Sequence, residues 1–163
     1  MSTKKKRIPR PVALNTLALA TAGACKLTKL EADQILSYVH RAAACMRTGI
    51  GSHLHYKLLA GHIDVARAIE DKGVVHGLAD VINAADAALQ RISTRAVVAG
   101  EWTPPTLYAN EITALTEFAT LHDYQVRQCS WSEYRRAVDR ATGQITAAGA
   151  TVDHAHTLAE FGA

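Results

Sequence analysis

Among the eight histidines of this 163-residue chain, His122-Asp123 is the pair whose residue types could perform acid–base chemistry, with Glu111 and Glu117 upstream. An imidazole titrates near neutral pH and acts as a general base when a carboxylate orients it at a cleft. Asp123 is adjacent in sequence, so on a regular helix it points about 100° away from His122 and cannot orient its ring. The carboxylate would have to come from another helix. His122 also falls on an apolar seam, where a histidine hydrogen-bonded inside a bundle is the commoner case.

The other histidines invite a metal reading, which their spacing does not support. In His53-Leu-His55 and His154-Ala-His156 the imidazoles stand two residues apart, and on a helix such positions face different sides. His55 and His62 share a face but lie about 10 Å apart along the axis. Adding Asp64 or Cys45 produces no zinc spacing. No glycine-rich phosphate loop, HExxH or GxSxG is present. The expectation is therefore a protein with no metal and no cofactor, acting by binding rather than catalysis, with His122 as the enzymatic alternative.

Binding chemistry has clearer carriers. Lys4, Lys5, Lys6, Arg7 and Arg10 place five positive charges in the first ten residues, and the first acidic residue is Glu31. Seven basic residues precede it, while the remainder holds 11 basic and 15 acidic ones, so a net charge of +3 splits into +7 and −4. A basic arm kept extended by Pro9 and Pro11 suits phosphate contact, with affinity that falls as salt rises. It holds no aromatic for base stacking. DNA or RNA through this arm is one expected partner, and a solubilising tail is the bland reading. Trp102, in a proline-containing linker, and Trp131 with Tyr134, at a helix start, are the candidate anchors of a protein interface. The bland alternative is that they cap the core over helix ends.

These residues must be positioned by helices. The composition is 48% hydrophobic but 6% aromatic, with 30 alanines, so the apolar surface is made of small side chains. The chain reads as a basic arm over 1–12, a helical domain over 13–148 and a weakly ordered tail over 149–163. A short helix is expected at 13–23. Thr28 and Glu31 form a capping-box pattern before the stripe Ala32, Ile35, Leu36, Val39, Ala43 and Met46, which Gly49 and Gly51 end. Ser52 caps the next stripe, His55, Leu58, Leu59, His62, Ile63, Ala66 and Ile69, and Gly73 closes it. Gly61 within it suggests a close helix crossing.

Val74 to Val98 is the next predicted helix, with Leu78, Val81, Ile82, Ala85, Leu89 and Ile92 inward. Another is predicted over 105–128, opening at Pro105, and carries Tyr108, Ile112, Leu115, Ala119, His122 and Val126. Ser130 with Glu133 opens the last, through about Ala147. No alternating run argues for a sheet. The fold class is all-α, a compact bundle of five or six helices with an extended N-terminal arm, and alanine permits close helix approach. Ala-rich faces left uncovered would be closed by a homodimer.

Cys25, Cys45 and Cys129 are odd in number and widely spaced, which fits buried thiols in a reducing compartment. Lys4 to Arg7, the apolar run Val12–Ala20 and Ala22-Gly-Ala-Cys25 together have the outline of a lipoprotein signal. Pro9, Pro11, Asn15, Thr16 and Ala22 argue against it. Cytoplasmic location without a membrane span is expected, and a secreted lipoprotein is the alternative.

The run Asn110-Glu-Ile-Thr-Ala-Leu-Thr-Glu-Phe-Ala-Thr-Leu-His-Asp123, followed by Tyr134-Arg-Arg-Ala-Val-Asp-Arg140, resembles small helical proteins encoded by phages and prophages of proteobacteria. The Lys/Arg/Pro arm and the apolar stretch behind it add to the likeness, which covers most of the chain. Tyr124 and Cys129 depart from the family's pattern. The resemblance implies a cytoplasmic accessory protein of a mobile element, with a host or phage protein as partner, and transfers no catalytic residue.

Overall fold

The computed structural model describes residues 23–98 and 100–147. The basic arm with Lys4, Lys5, Lys6, Arg7 and Arg10, all but the last residue of the helix expected over 13–23, His154, His156 and the tail over 149–163 lie outside the described residues. Within them the chain is all-α, with five long helices and one two-residue hairpin.

The first helix, α1 (Lys29–Arg47), starts at the predicted capping box. The Thr28 amide donates to Glu31 Oε2 at 2.8 Å, and the Glu31 amide donates to Thr28 Oγ1 at 3.3 Å. Its inward stripe is Ala32, Ile35, Leu36, Val39, Ala42 and Met46. The second helix, α2 (His53–Asp71), starts at Ser52, whose amide donates to His55 Nδ1 at 3.0 Å. His55 thus closes the helix end instead of lining the core, filling the role glutamate plays in an ordinary capping box. Gly61 is buried in α2, but a Cβ built there meets nothing within 4 Å. The close crossing expected at Gly61 is therefore absent.

The third helix, α3 (Ala79–Ala96), begins five residues later than the sequence predicts. Gly77 adopts φ +89°, outside helical space, and the Glu70 carboxylate accepts from the Gly77 and Leu78 amides at 2.8 and 3.2 Å. That carboxylate pins residues 74–78 as a loop. At its far end α3 gives way to β1 (Val97–Val98), which pairs antiparallel with β2 (Glu101–Trp102), Val97 opposite Trp102.

The fourth helix, α4 (Ala109–Gln128), does not open at Pro105. Its first turn is set by Glu111, which accepts from the Tyr108 amide at 2.9 Å while Tyr108 stays extended. The last helix, α5 (Trp131–Ala147), opens at the predicted Ser130–Glu133 box, with the Ser130 amide donating to Glu133 at 2.7 Å.

Helices α1 to α4 form a ring of antiparallel neighbours. Ion pairs cross three of its four seams: Asp33 to Arg127 and His40 to Asp123 between α1 and α4, Arg67 to Asp86 between α2 and α3, Arg95 to Glu111 between α3 and α4. One hydrophobic cluster fills the ring around Leu59, Ile63, Leu89, Ile92 and Phe118. A second lies under α5, where Tyr134, Ala137 and Ala141 pack on Val65, Ala68 and Ile69 of α2 and on Val126. The strap ahead of α1 is tied to the α4–α5 corner by Leu27 N–H to Cys129 O and Trp131 N–H to Cys25 O, both 3.1 Å.

Candidate functional site

His122 lies in the core, 1% exposed, in a closed relay. Gln125 Nε2 donates to the Ala66 carbonyl at 3.0 Å, which turns Gln125 Oε1 toward His122 Nδ1, also 3.0 Å away. His122 Nδ1 must therefore carry the proton, and its bare Nε2 accepts from His62 Nδ1–H at 3.2 Å. Phe118 stacks on the His122 ring, with centroids 5.3 Å apart. Burial pushes His62 down to about 3, helped by its neighbour His122, and pushes His122 down to about 4 against the opposing pull of Gln125 and Asp123. Both imidazoles are neutral at physiological pH. Among the described residues no carboxylate hydrogen-bonds to the relay, and His122 is sealed from solvent, so the general-base reading of His122 loses its geometric basis. The relay joins the diagonal helices α2 and α4.

Asp123 faces elsewhere, as its position on the helix requires. Arg127 holds the Asp123 carboxyl below its ordinary value, with His40 adding to the effect. His40 Nε2 donates to Asp123 Oδ2 at 3.1 Å, and Arg127 reaches on to Asp33 at 2.6 Å. His40 thus has the oriented carboxylate that His122 lacks. It stands at the edge of a hollow of about 190 Å³ between α1 and α4, lined also by Ala43, Ala44, Arg47, Thr116, Ala119 and Thr120. The sequence reading passed over His40 because its carboxylate lies 83 positions away.

Glu111 is fully buried. Burial alone would raise its pKa, but Arg95, the Tyr108 amide and Arg91 together hold it below its ordinary value. Arg95 grips it with two nitrogens at 2.8 and 2.6 Å and stacks over the Tyr108 ring at 4.4 Å. This cluster clamps the end of α3 to the start of α4, and every charge in it has a structural task.

The structure brings two of the three interface candidates together, Trp131 stacking on Tyr134 with ring centroids 6.4 Å apart, and leaves Trp102 apart from them. Tyr134 is 4% exposed inside the second cluster, which removes it from the surface, and its buried hydroxyl has no hydrogen-bond partner among the described residues. Trp131 is half-buried over the same cluster. Trp102 lies at the other end of the bundle. Its Nε1 donates to the Gly51 carbonyl at 2.8 Å, and its ring stacks on His53 at 5.2 Å and lies tilted against Tyr56 at 5.3 Å.

Around Trp102 the bundle end is apolar. The α1–α2 loop contributes Ile50, 67% exposed, the first turn of α2 contributes Leu54, 61%, and the hairpin contributes Val97 and Val98, 48% and 60%. With Tyr108 they make five of the seven large hydrophobic residues that are exposed among the described residues, all carried by segments that meet at this one end. Periodicity could not find them, because they sit in connections and first turns.

Among the described residues no three of His, Cys, Asp and Glu converge as a metal site, and no helix is long and apolar enough to cross a membrane. Cys129 is buried, with its thiol pushed up to about 11 by burial, whereas Cys25 is exposed and Cys45 half-buried; the expectation of buried thiols holds fully for Cys129 alone. No protein-family model matches the chain, and no curated protein or solved structure matches it either.

Proposed function

We propose that the chain is a non-enzymatic cytoplasmic accessory protein, of the phage- and prophage-encoded kind its sequence resembles, that acts by binding a protein partner through the apolar end of its bundle. The observation that carries this reading is the gathering of Ile50, Leu54, Val97 and Val98 around the anchored Trp102. Exposed apolar side chains gathered at one end of a domain mark interaction sites, and an anchored, half-buried tryptophan is a common centre for one. Polar groups nearby are already used: Trp102 Nε1 by Gly51, His55 by Ser52. A partner would therefore gain mainly by covering hydrocarbon.

The test is capture of host proteins by the intact chain, by an Ile50→Asp/Leu54→Asp variant and by a chain lacking residues 1–10. Both substituted positions are exposed, and Asp in the first turn of α2 suits the helix N-terminus. The reading expects one captured species that survives arm deletion and disappears in the double variant. Equal capture by all three chains would refute it. Sedimentation at two concentrations separates a second copy of the chain from a different partner.

The charge partition favours a second reading, in which the arm with Lys4, Lys5, Lys6, Arg7 and Arg10 holds DNA or RNA while the acidic remainder stays clear of the phosphates. Here binding falls steeply with salt and vanishes on removal of residues 1–10, with the Ile50→Asp/Leu54→Asp variant unaffected. Unchanged gel mobility with any nucleic acid counts against it.

A further inference from the structure

The hollow between α1 and α4 exists because the facing side chains are too small to fill it. Ala44 and Ala119 line it, and neither reaches across. Its rim is polar in a particular way. His40 pairs with Asp123, and the antiparallel register then sets Arg47, seven residues on in α1, across from Thr116, seven residues back in α4.

Arg47 makes no ion pair among the described residues, and no carboxylate lines the hollow. Asp123 and Asp33 nearby are committed to His40 and Arg127. A cation in the last turn of α1 complements the helix dipole, which accounts for the charge on Arg47 but not for the empty volume beside it. The Thr116 hydroxyl makes no hydrogen bond among the described residues, while the Thr120 hydroxyl donates to the Thr116 carbonyl at 2.9 Å and keeps only acceptor capacity. The donors left over are a guanidinium and one hydroxyl, on opposite walls at the same level, beside a floor of methyl groups.

We propose that this hollow binds a small organic carboxylate, with its anionic head between Arg47 and Thr116 and its apolar body on Ala44 and Ala119. A guanidinium fork matches a carboxylate in shape as well as charge. The volume of about 190 Å³ exceeds the roughly 150 Å³ that accommodates benzene and falls short of the roughly 300 Å³ at which drug-sized pockets begin. A ligand with a body of about one ring fits. None of the exposed apolar residues at the bundle end lines the hollow, and its test does not depend on any macromolecular partner.

The experiment titrates the full-length ¹⁵N-labelled chain with benzoate, with its neutral counterpart benzamide and with inorganic phosphate, following amide shifts. Benzoate should give saturable shifts confined to residues 43–47 and 116–120, with benzamide and phosphate each at least about tenfold weaker. Arg47→Gln should weaken benzoate about tenfold, and Ala44→Leu, which fills the hollow, should abolish saturation. Both positions are exposed, and the same spectra report whether the fold is kept. Absence of saturable shifts up to about 20 mM benzoate, equal binding of benzamide or phosphate, or benzoate binding that ignores Arg47→Gln would each overturn the proposal.

Discussion

The sealed His62–His122 relay makes the stability of this bundle depend on pH in a range where most helical domains are indifferent. In the unfolded chain an imidazole takes up a proton below about pH 6.5. In the folded chain His62 and His122 resist protonation until about 3 and about 4, because burial penalises the charged ring. Between those limits the unfolded state binds more protons than the folded one, so stability falls as pH falls. It is fully present above pH 6.5 and is lost progressively down to the folded values.

At about pH 5 each histidine sits about 1.5 pH units below its unfolded pKa, and one unit is worth about 1.4 kcal/mol, so each costs about 2 kcal/mol and the pair about 4. Because both folded values lie below 5, this loss is governed by the unfolded pKa and is insensitive to where in the acid range the buried rings titrate. Four kcal/mol is a large part of the roughly 5–15 kcal/mol that holds a domain together.

Urea unfolding followed by circular dichroism at about pH 7.5 and about pH 5, at fixed ionic strength, measures the loss directly. His62→Asn carries an amide nitrogen where His62 has Nδ1, so it keeps a donor toward His122 Nε2 and removes one titrating ring, and its loss over the same range should halve to about 2 kcal/mol. A wild-type loss below about 1 kcal/mol, or a variant that loses as much as wild type, would refute the argument that two neutral imidazoles are trapped in the fold.

Other consequences concern packing and charge. Gly61→Ala should stabilise by about 1 kcal/mol in thermal denaturation, since the helix gains propensity and the added methyl meets no atom within 4 Å. Gly51→Ala should do the opposite, because its Cβ would fall 2.3 Å from Met46 Sδ and 3.0 Å from Met46 Cα. Arg95→Ala leaves the buried Glu111 carboxylate with the Tyr108 amide and with Arg91, at 3.9 Å, as its remaining cation; a cost of about 3 kcal/mol in urea unfolding is expected, and Arg95→Lys should restore part of it. In native protein near pH 8 a thiol reagent should modify the exposed Cys25 while sparing Cys129, which should react only after unfolding.

Features encoded within three or four residues were legible in the sequence. Thr28 with Glu31 and Ser130 with Glu133 announced helix starts that the structure places at Lys29 and Trp131. The stripe through Leu59, His62, Ile63, Ala66 and Ile69 identified the inward face of α2 and put His62 in the core. Features that depend on a charge arriving from elsewhere were hidden. Glu70 reaches forward to fix the Gly77–Leu78 loop, and Glu111 turns inward to meet Arg95, so neither the start of α3 nor that of α4 follows from hydrophobic period. Glu111 and Gln125 are buried although neither belongs to the apolar stripe of its helix, since burial of either requires a partner that only the assembled bundle supplies.

The same distinction separates the closed polar clusters of the bundle from its open places. His62–His122–Gln125 and Arg91–Arg95–Glu111 are closed: the hydrogen bonds that define each are made within the protein, and removing a member exposes a cost rather than a function. Trp102 with its apolar surround, and Arg47 above the α1–α4 hollow, are open, because hydrocarbon or charge is presented with nothing of the described chain to cover it. Natural domains that only needed to fold could fill such a hollow by exchanging Ala44 for a larger residue and could replace Ile50 and Leu54 with polar side chains, each at little cost to a surface position. Binding is therefore better sought at these two open places than at His122, where residue types in the sequence first suggest chemistry.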